Sequence, residues 1–420
     1  MIRWVRALAR LNFMPKFFSG LSTARRDFRT LPASIKWVTL ILSFYSLFWG
    51  LWDPFLPIYF NKILGGYTET ALVTAFFYLF FAILSVPIGR IADILSKKKL
   101  IAFFLLLYLP LGPLLALMRT IFQFTLFRFY HAFLASGLWS ASETYIRAHS
   151  PPHQRAEAMG FLDTGLNAAI VAGALLSGFI VAAVGIEPLF YVAPVMIGGA
   201  LLLTLFYLPD HSGSSDWSRA LPAFRVGAFK ESVRDFLNNQ RLFFLGRLSF
   251  LFGLASAGVG AVLLPLFSEA LGATPIQIGA IFALSLVPFV FEAPFAVLAE
   301  HFSNRAIVLS SGIFSTVTLA LLYFIQDLRL LSLLAFFLGL SFAMVVPILG
   351  GRATGFMPKR HIGELNGVYR AVGALAGGIG ILIVGPLADR YGINAPFLLS
   401  AVLMAAFTLA AFWGWKQIEG

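Results

Sequence analysis

The chain carries one segment twice, 207 residues apart, and most of both copies is hydrophobic enough to live in lipid. Glu157, Gly160, Gly178, Gly185 and Phe190 recur as Glu364, Gly367, Gly385, Gly392 and Phe397. Pro87 and Ala92-Asp93 recur at the same offset as Pro294 and Ala299-Glu300, while Leu56-Pro57 recurs one residue further on, as Leu264-Pro265. Internal repeats constrain architecture before any residue-level reading. Two related membrane halves are the pattern of a transporter whose substrate site lies between them.

Only 12% of the residues are charged and 59% are hydrophobic, where soluble domains carry about 25% charged residues. Forty-five phenylalanines fit lipid better than a soluble core of this size. The chain has no cysteine, which excludes disulfides, thiolate metal sites and cysteine nucleophiles. A net charge of +12 raises nucleic acid as a partner. The positive residues sit in loops between apolar spans, however, so the positive-inside rule is the better explanation, and no nucleic acid is expected.

A membrane helix needs about 20 mostly apolar residues. Twelve such spans are read near 37–60, 70–92, 100–118, 122–146, 158–183, 186–208, 242–267, 276–299, 306–325, 329–351, 363–384 and 393–415. With both termini inside, 26 Lys and Arg fall in inside segments and 4 in outside loops, with Arg128 left within a span. The fold expected is all-α and integral to the membrane, with 12 transmembrane helices in two pseudo-symmetric six-helix bundles. Residues 1–35 form a cytoplasmic basic segment, 36–208 and 242–415 the two bundles, 209–241 a cytoplasmic linker and 416–420 a cytoplasmic tail. The first 30 residues lack the apolar core of a cleaved signal peptide. Arg3, Arg6 and Arg10 share one helical face opposite Ile2, Val5 and Leu8, as in a helix lying on an anionic leaflet, with a disordered basic tail as the other reading.

Residues 89–99 (GRIADILSKKK), between spans 2 and 3, resemble the loop signature of the major facilitator superfamily. Gly89, Asp93 and the basic cluster Lys97, Lys98 and Lys99 fit it. Ile94 and Ser96 stand where a basic residue and a second glycine are usual, and the twin loop carries Glu300 as its acid. Pro54 and Pro57 late in span 1, a buried Arg128 in span 4 and the long central loop agree with the same family. Bottom-up, Gly89 would let helices approach closely, Asp93 would accept hydrogen bonds at a neighbouring helix N-terminus, and the lysines would bind anionic headgroups. The resemblance implies that Asp93 latches the two halves on the cytoplasmic side, that spans 1, 4, 7 and 10 line the central cavity, and that the halves rock about it. In span 5, Gly160, Gly173 and Gly178 fall at the spacing of the family's antiporter motif. Ala169, Ala174 and Ser177 replace the other small positions and the motif's proline is missing; span 11 keeps Gly367, Gly380 and Gly385. Physically this is a small-residue surface for helix packing.

Ionisable groups inside a span cost about 2.5–3.5 kcal/mol at mid-membrane, which makes them functional candidates. The chain has Asp53, Arg128, Glu143, Asp163, Glu292 and Arg370. Asp53 and Arg128 lie at similar depth, about 10 Å from the outer surface. Asp53 is expected to be the proton-coupling acid and Arg128 its ion-pair partner or a substrate anchor, with a permanent structural bridge as the alternative. Glu143 pairs i, i+4 with Arg147, serves in coupling, or substitutes for the latch acid that the resemblance implies near position 147, where this chain has Arg147. Glu292 has no sequence-local partner and reads as a second proton or cation site, or as a polar helix contact. Asp163 and Arg370 occupy equivalent places and read as packing charges at the inner gate.

No phosphate loop, paired-histidine metal motif or serine nucleophile elbow is present, so no ATP site, metal, cofactor or enzymatic activity is expected. The function expected is proton-coupled export of lipophilic or amphiphilic organic compounds across a bacterial cytoplasmic membrane by a monomer. The alternatives are a proton symporter importing a small polar or anionic solute, and a non-transporting receptor or lipid-handling protein. The aromatics Phe44, Tyr45, Phe48, Trp49, Trp52, Phe127 and Trp139 either line the cavity or face lipid.

Overall fold

A computed structural model describes residues 30–151, 154–210, 226–292, 303–358 and 362–419. The N-terminal basic helix expected around Arg3, Arg6 and Arg10 lies outside the described residues, as does Glu300.

Among the described residues, twelve helical passes follow one another. Span 1 is Ala33–Trp52 and, after a break, Leu56–Leu64. Pro54 lacks an N–H and its ring collides with the preceding turn, so the helix stops there and restarts with Pro57 in its first turn. Span 2 is Tyr67–Ile94, and span 3 is Lys97–Tyr108 resumed as Leu111–Leu117. Spans 4, 5 and 6 are Ile121–His149, Arg155–Val184 and Glu187–Tyr207. The linker contributes the amphipathic helix Val226–Asn238. Span 7 is Gln240–Gly258, a π-helical turn Val259–Leu263 and Leu264–Ala270. Span 8 is described over Pro275–Val290, and spans 9 to 12 are Asn304–Leu322, Leu328–Gly355, Ile362–Tyr391 and Ala395–Gly414.

The duplication is visible in where the helices begin and turn. Spans 3, 4 and 5 start at Lys97, Ile121 and Arg155, and their counterparts start 207 residues later at Asn304, Leu328 and Ile362. Among the described residues, the four left-handed glycines form two pairs at the same offset: Gly65 (φ 81°) with Gly272 (78°), and Gly185 (86°) with Gly392 (90°). A positive φ at a helix end favours glycine, because any Cβ would strain the turn. The one-residue slip at Leu264-Pro265 has a place in space. The extra residue upstream of it is absorbed by the π turn Val259–Leu263, the form in which a helix accommodates a single insertion.

Phe122, Phe206, Phe324 and Trp413 are each more than 70% exposed. In water such residues would make adhesive patches; here they face lipid, and the chain is a multi-pass membrane protein. The two halves meet along two symmetry-related seams, span 2 on span 11 and span 5 on span 8. The end of the bundle that carries the linker helix is hereafter the linker end, and the opposite end the far end.

Glycines set how tightly these seams close. A Cβ on Gly173 would strike the Leu47 carbonyl of span 1, and one on Gly380 the Leu254 carbonyl of span 7. A Cβ on Gly178 would stand 2.8 Å from the Pro275 carbonyl oxygen, and one on Gly385 2.7 Å from the Thr68 Cα. Thus Gly173 and Gly380 pack a span within its own half, while Gly178 and Gly385 bring the halves together toward the far end. Gly160 lies near the linker end of span 5, and Gly367 approaches Val86 of span 2 loosely, at 3.8 Å. Gly89 departs from the sequence reading: among the described residues, a Cβ there meets nothing within 4 Å. Among the described residues, the linker end is held by long charged side chains.

Candidate functional site

Between the halves lies a cavity of about 310 Å³. Spans 1, 4, 7 and 10 line it as expected, and spans 2 and 8 join them. The second half supplies an apolar wall that includes Phe252, Phe282, Phe289, Leu338 and Phe342, softened by Ser256 and Ser285. The first half supplies Trp49, Phe77, Tyr78, Thr74 and, among the described residues, the only two charged lining residues, Asp53 and Arg128. The π turn puts Val259, Gly260 and Ala261 on the wall.

Asp53 occupies the break in span 1, its N–H still bonded to the Trp49 carbonyl at 2.9 Å. Arg128 is 4% exposed. Its guanidinium lies over the Phe60 and Phe77 rings at 5.1 and 5.4 Å, and its Nη1 is 3.3 Å from His131 Nδ1. Aromatic faces attract a cation, more strongly where water is excluded. Asp53 and Arg128 share the cavity wall and each other's field, but among the described residues they form no direct ion pair.

His131 was not singled out from sequence. It is 1% exposed and ringed by Trp49, Trp52, Phe77, Tyr108 and Phe127, with centroids 4.6–6.1 Å away. The available signal was its i, i+3 spacing from Arg128, which puts both on one face of span 4. Arg128 Nε, His131 Nε2 and the indole nitrogens of Trp49 and Trp52 have no partner among the described residues. Unpaired buried polar groups are costly, so this cluster is suited to an incoming ligand or water. The aromatics divide accordingly. Trp49 lines the cavity, Tyr45, Phe48, Trp52 and Phe127 are buried in the first half, and Phe44 and Trp139 are half-buried against that core.

At the linker end, Glu143 binds two arginines. Arg147 reaches it at 3.3 Å from the same helix, and Arg370 of span 11 at 2.5 Å from the other half. Arg90 of span 2 meets Glu364 of span 11 at 3.4 Å, and Ser232 of the linker helix lies between them. Ser232 accepts from Arg90 at 2.7 Å and donates to Glu364 at 2.8 Å. Asp93 lies in the field of Arg147 and Lys97. The Lys97 ammonium donates to the Asp93 carbonyl (3.0 Å) and Lys98 to the Leu205 carbonyl (2.9 Å), while Lys99 is exposed. Asp163 of span 5 interacts electrostatically with both Glu143 and Glu292, so the three acids form one group on the linker side of the cavity.

At the far end, Asp389 of span 11 caps the start of span 2. It accepts from the backbone N–H groups of Tyr67 (3.1 Å) and Thr68 (2.8 Å) and from the Thr68 hydroxyl (2.5 Å). A capping acid across the halves was foreseen for Asp93; the structure places one at Asp389. Both ends of the cavity are therefore crossed by breakable polar contacts.

A membrane-embedded cavity between two pseudo-symmetric six-helix halves, pinned at both ends, is the architecture of a carrier. The chain belongs to the Major Facilitator Superfamily, which it matches over residues 38–267 and 245–418. It is 24% identical over 380 residues to "Multidrug resistance protein MdtG" of Dickeya zeae, covering 87% of this chain and 90% of that one. It is 31% identical to "Uncharacterized MFS-type transporter MJ1560" of Methanocaldococcus jannaschii, over 39% of this chain and 42% of that protein's length. In fold it is similar to the human organic anion transporter MFSD10, with a TM-score of 0.69 at 18% identity, covering 90% of this chain and all of that one.

Proposed function

We propose that this transporter exports lipophilic or amphiphilic organic compounds in exchange for protons across a bacterial cytoplasmic membrane, as a monomer with both termini and the linker in the cytoplasm. The cavity carries the reading: its wall is mostly aromatic and aliphatic, with a few hydroxyls and, among the described residues, one carboxylate and one guanidinium, Asp53 and Arg128. An apolar pocket with a few placed polar groups accepts amphiphiles of varied shape and fixes them by charge. The relative named for multidrug resistance, matched along nearly its full length, supports the same direction of transport. Asp53 has no direct ion-pair partner among the described residues, so a proton and a substrate can compete for it; Glu143, Asp163 and Glu292 offer a proton route toward the linker end. Asp93 and Glu143 belong to the cytoplasmic latch, and the exposed Lys99 faces the headgroups there, while Lys97, 5% exposed, is turned onto the Asp93 carbonyl.

The test is flux in proteoliposomes under an imposed pH gradient with a panel of lipophilic dyes and metabolites. Substrate moving against the proton flow supports export, and uptake of a metabolite with the protons overturns it. A second reading, symport of an anionic solute, is favoured by the unpaired donors of Arg128 and its neighbours. In that case anionic metabolites, and not dyes, are carried.

A further inference from the structure

Apart from the central cavity, the molecule has a second concavity, on its outer surface. It is a groove of about 380 Å³ roofed by the linker helix and lined by span 2, span 7 and span 11. Apart from Arg247, the lining side chains are apolar; Ile83, Leu237, Phe243 and Leu375 are each more than 40% exposed, so the groove opens to the bilayer. Arg247 lies seven residues into span 7 from Gln240, about 10 Å along the helix. It is exposed, and among the described residues its recorded contact is the Phe243 ring face at 6.0 Å. A cation at that depth beside lipid needs a counter-ion. On the linker helix the exposed Glu231 and Asp235 offset Lys230 and Arg234, which leaves Arg247 as the charge that distinguishes this site.

We propose that the groove binds a diacyl phospholipid with an anionic headgroup, an acyl chain lying along Ile83, Val372 and Leu375 and the phosphate on Arg247. The charge fits that occupant, an apolar trough fits its tail, and the bilayer supplies it. The site also has leverage. Val86, Val233 and Val368 line the groove within one turn of Arg90, Ser232 and Glu364, the residues that tie span 2, the linker helix and span 11 together. A lipid seated there spans the seam between halves on the same elements as the latch and favours the latched arrangement.

The experiment uses the full chain in nanodiscs doped with phosphatidylglycerol or phosphatidylcholine bearing a photoreactive group in one acyl chain, with crosslinks mapped by mass spectrometry. Peptides of spans 7 and 11 that line the groove should be labelled by phosphatidylglycerol about fivefold more than by phosphatidylcholine, the factor expected of one basic side chain at an anionic leaflet. Arg247→Gln should remove that preference and Arg247→Lys keep most of it. Should Arg247→Gln fail to fold, Leu375→Trp, which fills the trough, should lower labelling by both lipids. Equal labelling by the two lipids, labelling no higher than at other lipid-facing peptides, or displacement of the label by a transported compound would each overturn the proposal. This readout needs no transport, so it stands apart from the outcome of the flux assay.

Discussion

At the scale of single residues, the chemistry concentrates on span 1 and span 4. Asp53 faces the cavity because Pro54 breaks the helix beside it, and Arg128 stays charged-side inward because two aromatic rings and His131 hold it. Asp53→Asn keeps the shape and removes the titratable proton. Under a pH gradient, net transport should fall to the leak rate. Retained gradient-driven transport would take Asp53 out of coupling. Arg128→Gln separates the two substrate readings. If Arg128 anchors an anion, losing a charged hydrogen bond of about 1.5–3 kcal/mol should raise the half-saturating concentration of anionic substrates at least about tenfold. If the cargo is a lipophilic cation, half-saturation should hold or fall, because a repelling charge has gone.

At the scale of helices, much of the fold was legible. The 207-residue repeat and twelve apolar runs located the spans, and every described helix start falls within a few residues of the expected one, because hydrophobicity over about 20 residues is a strong signal. Gly178 and Gly385 sit where the halves touch. Other features left little trace. Glu143 had a sufficient partner four residues away, which hid its bond to Arg370, 227 residues distant. His131 looked like one more core residue, since nothing local shows that four rings from three other helices converge on it beside Phe127 of its own. The π turn was visible only as a one-residue slip in the repeat. The far-end contacts give a test at this scale. Gly178→Leu and Gly385→Leu put a side chain where 2.7–2.8 Å separates a bare Cβ from the other half, so neither seam can close there. In the cysteine-free chain, a single Ser256→Cys on the cavity wall should then react faster with a membrane-impermeant thiol reagent added from the far side. An unchanged rate would mean that these glycines matter only for folding.

At the scale of the whole molecule, the two ends compete. The linker end is held by Glu143–Arg370 and by Arg90, Ser232 and Glu364; the far end is held by Asp389 on the N-terminus of span 2. A carrier that opens one end at a time must break one set while keeping the other, so the sets work as opposing weights on one equilibrium. Removing a helix cap costs about 0.5–2 kcal/mol, enough to change the ratio of two states up to about thirtyfold. Asp389→Ala should therefore favour opening at the far end. Glu143→Gln, which weakens its bond to Arg370, should favour opening at the linker end. Spin labels at Lys99→Cys and Thr354→Cys, one in each half at the linker end, report which has happened. The distance distribution should shift longer in Glu143→Gln and shorter or narrower in Asp389→Ala. Combining the two should bring it back toward the parent distribution, because effects of opposite sign on one two-state equilibrium offset each other. Shifts in the same direction for both variants would show that the end contacts stabilise one common conformation and do not oppose each other.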